Sequence, residues 1–232
     1  MRAYATALIE LVYPPRCPSC LRLTLGGDFC SRCARLLPTI GPHICRYCGK
    51  PAATAIDDCR ECRGRPLHFD AARAAWIYES LARDVIHAYK FANQKSLAPA
   101  LARYLAPLIE ETDSELLITW VPLTRRKTWR RGYNQAKLLA INLANNTGLP
   151  ATALLRRTRT TEDQNQLNGQ ARRTNVKGAF GPIDPARTAG AGIILVDDVY
   201  TTGSTAAECS KVLKSAGAAS VRVVTLARTV IR

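Results

Sequence analysis

Two adjacent acids and a hydroxyl-rich turn form the part of the sequence whose chemistry is easiest to interpret. In the run "ILVDDVYTTGST", residues 194–205, Asp197 and Asp198 directly follow the four apolar residues 193–196, and threonine, glycine and serine follow after two further residues. An uncharged apolar run of this kind predicts a strand that is buried on both faces. Ligands of open parallel sheets bind at the carboxyl ends of such strands. Both acids are therefore expected at a binding edge.

The turn after the acids has the composition of a phosphate site. Its hydroxyls, its glycine and the N–H groups that open the next helix can together hold a phosphate dianion. The two carboxylates can accept hydrogen bonds from the paired hydroxyls of a ribose, and they lie near enough to influence a Mg²⁺ ion. The segment therefore fits a ribose 5-phosphate. The alternative is a strand end in which Asp198 and Thr202 make only turn and cap bonds.

The cysteines form a second chemical pattern, because eight of the nine occur as four C-x-x-C pairs. Four thiolates at this spacing can surround Zn²⁺, and segments this short have little core without metal. A disulfide framework would need an oxidising compartment and a secretion signal, and Glu10 interrupts the apolar stretch that such a signal requires. The repeat favours two structural zinc sites in sequence order, although a cross-braced arrangement of alternate pairs stays open. The sequential ligand sets are Cys17, Cys20, Cys30 and Cys33, and then Cys45, Cys48, Cys59 and Cys62.

The residues that follow the second cysteine of a pair bear on the turn around the metal. Gly49 follows Cys48 and supports a turn with positive φ, in which backbone N–H groups face the sulfurs. Leu21 stands at the equivalent position after Cys20, so the sequence supports this turn less well in the first site. The ninth cysteine, Cys209, falls on the apolar face of a predicted helix and is expected to be a small buried residue.

The basic residues are concentrated in one part of the chain. The net charge is +15, and residues 120–180 hold twelve Lys and Arg against two acids. Such a block indicates a phosphorylated ligand, a nucleic acid, or only a solvated surface. The apolar content of 47% is typical of a globular protein. No apolar run approaches the roughly 18–20 residues that span a bilayer, so we expect no membrane insertion and a cytoplasmic location.

The elements that must position these residues alternate between strand and helix patterns after residue 66. This alternation predicts an α/β domain over 67–232, with a parallel sheet and helices on both faces, preceded over 1–66 by a short helix and the cysteine pairs. A polar stretch from Arg157 to Gly178 lacks periodicity and predicts a functional loop or disorder. The predicted strands are "AARAAWIYES", "LLITWVP", "ATALLRR", "GIILVDD" and "SVRVVTLAR", and the predicted helices cover 81–92, 97–110, 133–146 and a segment from Ser204.

These segments together resemble a known family. "ILVDDVYTTGST" is similar to the phosphoribosyl-pyrophosphate (PRPP) signature of type I phosphoribosyltransferases, and the whole chain resembles the ComF family, a double zinc ribbon followed by a phosphoribosyltransferase domain. Further matches are "VPLTRRKTWRRGYNQA", "TEDQNQL" leading into "RRTNVKGAF", and "IHAYKFANQKSLAPALA". The resemblance implies the type I fold with a small hood, and PRPP bound with Mg²⁺. It also implies transfer of ribose 5-phosphate to an acceptor that the sequence does not identify.

The resemblance also implies site residues by position. Lys90 and Phe91 fall in the hood region, where a structural role is equally open. Thr201 stands where purine-salvage relatives carry an aspartate that contacts the base, which argues against a 6-oxopurine acceptor. Residues 157–178 would form a mobile catalytic loop, with the catalytic set Arg159, Gln164, Arg172 and Asn175. The implied PRPP-binding set is Asp197, Asp198, Thr201, Thr202, Gly203, Ser204 and Thr205, together with Pro122, Leu123, Thr124 and Arg125 in a pyrophosphate loop.

Two functions of different class stay open at this point. The first is a PRPP-dependent phosphoribosyltransferase. The second is a non-enzymatic PRPP-binding protein that handles single-stranded DNA, because ComF relatives are linked to natural competence. Trp129 and Tyr133 in "RRKTWRRGY" could stack on bases, or Trp129 could be a partly buried surface aromatic. We expect Arg125 to serve PRPP, and Arg130 with Arg131 to serve DNA. The sequence makes no prediction of the oligomeric state.

Overall fold

The computed structural model describes residues 14–109, 115–159 and 176–230. The predicted N-terminal helix lies outside these ranges. The helices are α1 (Ser31–Arg35), α2 (Ser80–Phe91), α3 (Ala98–Arg103), α4 (Arg125–Arg131), α5 (Gln135–Thr147), α6 (Pro185–Thr188) and α7 (Ser204–Ser215). The strands are β1 (Ala71–Ile77), β2 (Leu116–Trp120), β3 (Leu155–Arg157), β4 (Phe180–Pro182), β5 (Gly192–Tyr200) and β6 (Ser220–Arg228). Short 3₁₀ turns cover Leu25–Gly27, Lys95–Leu97 and Ala106–Leu108.

Four of these strands form a parallel sheet in the order β1-β6-β5-β2. The central strand β5 is buried on both sides, and its residues from Ile193 to Val196 are fully buried. This burial explains why the strand has an uninterrupted apolar sequence rather than an alternating one. The mixed α/β class and the cysteine-rich segment in front of the sheet are confirmed.

Alternate residues of β5 pack on opposite faces of the sheet. Ile193 and Leu195 belong to a core with α7, the β3–β4 pair and the cysteines at 45–62. Ile194 and Val196 belong to the other core, with α2, α3, α5 and the buried cysteines 17 and 33. The sheet therefore has helices on both faces, as predicted. Each cysteine segment also packs on a different face.

The segment "ATALLRR" differs from its prediction as a strand of the parallel sheet. Ala151 makes a single parallel bridge to Ile118 of β2. The N–H of Leu154 then donates to the Thr119 hydroxyl at 3.2 Å, which ends the backbone pairing. Only Leu155–Arg157 forms a strand, and it pairs antiparallel with β4 in a separate two-stranded sheet. The strand is confirmed over Leu155–Arg157, but its place in the parallel sheet is wrong, because a strand pattern does not reveal which partner the strand will have.

The helix predicted over 97–110 is also divided. α3 ends at Arg103, and a 3₁₀ turn follows over Ala106–Leu108. Pro107 lies inside this turn and has no N–H to donate to an α-helical ladder, so it disfavours a continuous helix. α5 agrees with its prediction within two residues, and it begins after the N-cap Asn134 and ends at Gly148, whose φ is 72°. Within the described ranges, no helix has both the length and the apolarity to cross a membrane.

The edge strand β1 is covered by the two cysteine segments. The N–H of Ala72 donates to the Tyr47 carbonyl at 2.6 Å, and the N–H of Ile77 donates to the Pro38 carbonyl at 2.8 Å. An unpaired strand edge can pair with a strand from another chain. These two hydrogen bonds cover the edge of β1 and also hold the cysteine segments against the sheet. The domain boundary after residue 66 stays a prediction, but backbone hydrogen bonds cross it.

Candidate functional site

Two groups of four cysteines could each hold a metal ion. The first tetrad is Cys17, Cys20, Cys30 and Cys33, and the second is Cys45, Cys48, Cys59 and Cys62; the sulfurs of each lie within 4.8 Å of one another. The resolved Sγ–Sγ distances are 3.6 Å between Cys20 and Cys30 and 3.6–3.9 Å in the second tetrad. Tetrahedral Zn–S bonds of about 2.3 Å imply sulfur separations of about 3.8 Å, so both tetrads fit zinc. The sequential arrangement is confirmed, and the cross-braced one is not found.

The turns after the second cysteine of each tetrad have the same backbone shape. The N–H of Gly49 donates to the Cys45 carbonyl at 2.9 Å, and the N–H of Leu21 donates to the Cys17 carbonyl at 3.1 Å. Their φ angles are 67° and 62°. A Cβ at Gly49 would lie 2.6 Å from the Ala72 carbonyl oxygen, whereas Leu21 is 61% exposed. Only the second turn therefore excludes a side chain, which explains why leucine replaces glycine in the first.

A cavity of about 300 Å³ opens at the carboxyl ends of the four parallel strands. Tyr78 lines it after β1, Leu123 after β2, the paired acids on β5, and Thr229 after β6. The structure thus brings both predicted acids to the edge where ligands of parallel sheets bind.

The paired acids lie where β5 extends beyond its neighbour β2. The last bond between these strands joins the N–H of Val121 to the Val196 carbonyl at 3.0 Å, so Asp197 and Asp198 follow it. Lys90 Nζ lies 2.8 Å from Asp198 Oδ1, with both side chains about 15% exposed. Burial and the nearby charge of Asp198 raise the pKa of Asp197 to about 7. Asp197 therefore titrates near neutrality, beside the ion pair that Asp198 makes with Lys90.

The hydroxyl-rich loop leads from β5 into α7. Thr201, Gly203, Ser204 and Thr205 line the cavity, and Gly203 is the N-cap of the twelve-residue helix α7. The φ of Gly203 is +73°, and a Cβ there would lie only 2.2 Å from the Tyr200 hydroxyl. The loop therefore requires glycine both for its backbone shape and for its contact with Tyr200. N–H groups at such a helix start are suited to bind an anion.

Thr202 has a different environment from its neighbours. It is absent from the residues that line the cavity. Its carbonyl accepts a hydrogen bond from Arg65 Nη2 at 2.9 Å, and its hydroxyl lies 2.7 Å from the Ser204 hydroxyl. Thr202 therefore shapes the loop.

The segment predicted as a pyrophosphate loop contributes to the cavity mainly through the helix that follows it. Leu123 lines the cavity, and the Thr124 hydroxyl caps α4 by accepting from the Lys127 N–H at 3.2 Å. Among the described residues of this segment, Pro122 and Arg125 do not line the cavity, whereas Lys127 and Arg131 do. Lys127 and Arg131 are four residues apart, so they share one face of α4.

The opposite face of α4 carries the exposed residues Arg125, Arg126, Trp129 and Arg130. Trp129 is 90% exposed, so it is not the partly buried aromatic that was one of its two interpretations. Arg130 and Arg131, which the sequence groups together for DNA, lie on different faces of α4, because Arg131 lines the cavity and Arg130 is exposed. Arg131 instead stacks 4.9 Å from the Phe91 ring centroid.

Two further cations of the cavity wall lie outside the PRPP-binding and catalytic sets that the resemblance implies. Lys90 comes from the end of α2, and Arg157 from β3. Arg157 stacks 5.0 Å from the Phe180 ring centroid, and burial lowers the pKa of its guanidinium. The family resemblance points to Lys90 at the hood position, with a structural role equally open. No local spacing brings either residue to the cavity, because each reaches it through long-range packing.

The predicted catalytic set falls largely outside the described ranges. Gln164, Arg172 and Asn175 belong to residues 160–175, which the structure does not describe. Arg159 is exposed and donates to the Lys177 carbonyl at 2.5 Å. Arg159 follows β3, and β4 begins at Phe180, so the antiparallel pair brackets the predicted loop.

Comparison with known proteins identifies the family. Residues 8–63 match the double zinc ribbon domain. "DNA utilization protein YhgH" from Salmonella typhimurium is 35% identical over 229 residues, which cover 94% of this chain and 99% of that protein. "Competence protein F" from Haemophilus influenzae is 33% identical over 224 residues, which cover 92% and 96%. The chain belongs to the ComF family. "Competence protein ComFC" from Bacillus subtilis is a more distant ComF relative, 28% identical over 212 residues.

Solved structures overlap the ComF chain only loosely. A glutamine PRPP amidotransferase from Bacillus subtilis covers 70% of this chain and 29% of its own, with 19% identity and a TM-score of 0.36.

Proposed function

We propose that this ComF-family protein binds PRPP with Mg²⁺ and transfers its ribose 5-phosphate to an acceptor as a phosphoribosyltransferase. One observation carries the proposal. Asp197, Asp198 and the loop that opens α7 line a single cavity at the carboxyl ends of the parallel strands. This arrangement places acceptors for ribose hydroxyls beside donors for a phosphate, and the two groups are joined in one small molecule.

Each part of PRPP has a complementary group in the cavity. The N–H and hydroxyl groups of Thr201, Ser204 and Thr205 would hold the 5-phosphate. The paired acids would accept the ribose hydroxyls. Lys127 and Arg131 on α4 would face the pyrophosphate, which is the most negative part of the ligand.

The cations on α4 also suit the reaction. When pyrophosphate leaves C1 of the ribose, negative charge grows on the departing oxygens, and cations already in position stabilise this charge best. Bound Mg²⁺ would add charge stabilisation on the pyrophosphate. Thr201 has no carboxylate with which to bind a 6-oxopurine, so the acceptor belongs to another class.

Isothermal titration calorimetry of PRPP in Mg²⁺ buffer tests the binding site. Asp197→Asn combined with Asp198→Asn should weaken binding by about tenfold or more per carboxylate, since a hydrogen bond to a charged group contributes roughly 1.5–3 kcal/mol. Asp84→Asn with Glu115→Gln is the matched control, because it removes the same charge at two exposed acids that lie outside both the cavity and the cysteine tetrads. Equal PRPP affinity in the two double variants would refute the site.

Pyrophosphate release from PRPP, measured across a panel of acceptors, tests the transferase activity. One acceptor that drives stoichiometric release in the wild type, and none in the Asp197/Asp198 double variant, would support catalysis. PRPP binding without release on any acceptor would favour a binding protein.

A second candidate function is single-stranded DNA binding by the exposed face of α4. Trp129 is 90% exposed between arginines, an arrangement that suits base stacking beside phosphate contacts. The names of two relatives, "DNA utilization protein" and "Competence protein", also support this candidate.

Oligonucleotide titrations at several salt concentrations test this second candidate. Stacking contributes about 1–3 kcal/mol per base, so Trp129→Ala should weaken binding roughly fivefold to a hundredfold. Tyr47→Ala removes an aromatic ring that is 46% exposed elsewhere, and it should leave affinity unchanged. Absence of oligonucleotide binding by the wild type at low salt would eliminate this candidate.

A further inference from the structure

A fully buried arginine connects the second tetrad with the strand that carries the paired acids. Arg228 ends β6 and its side chain is 0% exposed. Its Nη1 donates to the Cys48 carbonyl and lies 3.2 Å from Cys48 Sγ. Its Nη2 lies 3.7 Å from Glu61 Oε2. Four thiolates around one divalent ion carry a net negative charge, so a buried cation that donates to one sulfur stabilises the metal centre.

The other side of the same guanidinium supports the phosphate loop. It lies 5.2 Å from the Tyr200 ring centroid. The Tyr200 hydroxyl in turn lies against Gly203, where a Cβ would approach it to 2.2 Å. Arg228 therefore packs between Cys48 Sγ, a candidate zinc ligand, and the Tyr200 ring, against which Gly203 lies.

A second contact runs directly from the second tetrad to the loop. Arg65 follows Cys62, and its backbone N–H donates to the Cys62 carbonyl at 3.0 Å. Its Nη1 donates to the Glu61 carbonyl at 3.0 Å, and its Nη2 donates to the Thr202 carbonyl at 2.9 Å. The loop carbonyl is thus held by a side chain whose own position depends on the turn around Cys62.

The first tetrad has a different setting. It packs on the opposite face of the sheet, in the core that contains Trp76 and Tyr104. The two metal centres therefore differ in their relation to the loop. Zinc release from the first tetrad can serve as an internal control for zinc release from the second.

We propose that the second tetrad positions the phosphate loop through Arg228 and Arg65, so that metal binding at this tetrad and anion binding at the loop are coupled. The identity of the anion as PRPP rests on the function proposed above. Arg228 and Arg65 are positioning residues, because they act through Tyr200 and Thr202. Coupling between two binding sites is reciprocal, so the ligand must also stabilise the metal centre.

The coupling is tested in both directions by following zinc transfer from the full chain to a chromogenic chelator. Each measurement is made with and without saturating PRPP and Mg²⁺. PRPP should slow the release of one of the two zinc ions and leave the other unchanged. Arg65→Ala should abolish this protection and weaken PRPP binding by about tenfold. Arg63→Ala is the matched control: this arginine pairs with Asp58 rather than with the loop, so both effects should persist.

Arg228→Lys tests the buried contact while keeping its positive charge. Lysine lacks the planar guanidinium that donates to Cys48 through Nη1 while Nη2 lies near Glu61, so one zinc ion should leave about tenfold faster. If this variant fails to fold, the comparison of Arg65→Ala with Arg63→Ala decides the question alone.

The outcomes separate the coupling from the proposed function. PRPP that binds but changes neither zinc release rate would overturn the coupling and leave the PRPP site intact. A wild type that binds no PRPP would overturn the proposed function, and inorganic phosphate then replaces PRPP as the probe. Zinc release that phosphate does not slow would overturn the coupling as well.

Discussion

Replacing Gly203 by alanine should distort the phosphate loop more than its small size suggests. The φ of +73° puts the residue in the left-handed region, where a Cβ costs about 1–2 kcal/mol. The new Cβ would also lie 2.2 Å from Tyr200 Oη and 2.6 Å from its Cζ. Overpacking of this kind costs about 1–3 kcal/mol. Gly203→Ala should therefore lower the free energy of unfolding by about 2–5 kcal/mol, unless the loop moves to avoid the ring.

Urea unfolding and PRPP calorimetry together measure both consequences. Gly148→Ala is the control, because its φ is +72° and no atom lies within 4 Å of the added Cβ. It should show only the left-handed cost and keep full PRPP affinity, whereas Gly203→Ala should lose affinity whether the ring or the loop moves. The reasoning about the loop is refuted if the two variants lose equal stability and both bind PRPP like the wild type.

The remaining predictions concern the acids and the metal centres. Because the pKa of Asp197 is raised to about 7, PRPP affinity should increase from about pH 6 to about pH 8 as the carboxylate ionises, and Asp197→Asn should flatten this increase in calorimetry. Since the folded state holds this proton more tightly than the unfolded state does, Asp197 should also make the protein less stable as pH rises to about 7; urea unfolding of Asp197→Asn should lack this trend. Lys90 lowers the pKa of Asp197, so Lys90→Met should move the affinity midpoint to higher pH, and an unmoved midpoint would contradict the ion-pair geometry. Elemental analysis should find about two zinc ions per chain. Cys20→Ser, at the exposed corner of its tetrad, should lower the thermal midpoint less than Cys59→Ser, which is buried; metal-free protein with intact disulfides would contradict both zinc sites.

The features that the sequence predicted well are those that depend on short spacings. The C-x-x-C pairs place thiolates a turn apart, so the eight metal ligands could be predicted before any tertiary contact was known, whereas their grouping into two sequential tetrads came from the structure. The apolar run before Asp197 and the small residues after Tyr200 likewise specify a buried strand and the turn that opens a helix. These patterns are local because the backbone geometry of a few residues determines where their side chains point.

The tertiary structure decided which distant residues share a site. Lys90 meets Asp198 only because α2 packs over the end of β5, and Arg228 meets Cys48 across 180 residues of chain. Likewise, the docking of α4 selects Lys127 and Arg131 for the cavity and leaves Trp129 in solvent. Sequence periodicity tells which face of an element is apolar, but not which neighbour that face will contact. The partner of each face follows from packing the whole chain around one sheet, and for this reason the cations of the site and the link to the second tetrad became visible only in the folded molecule.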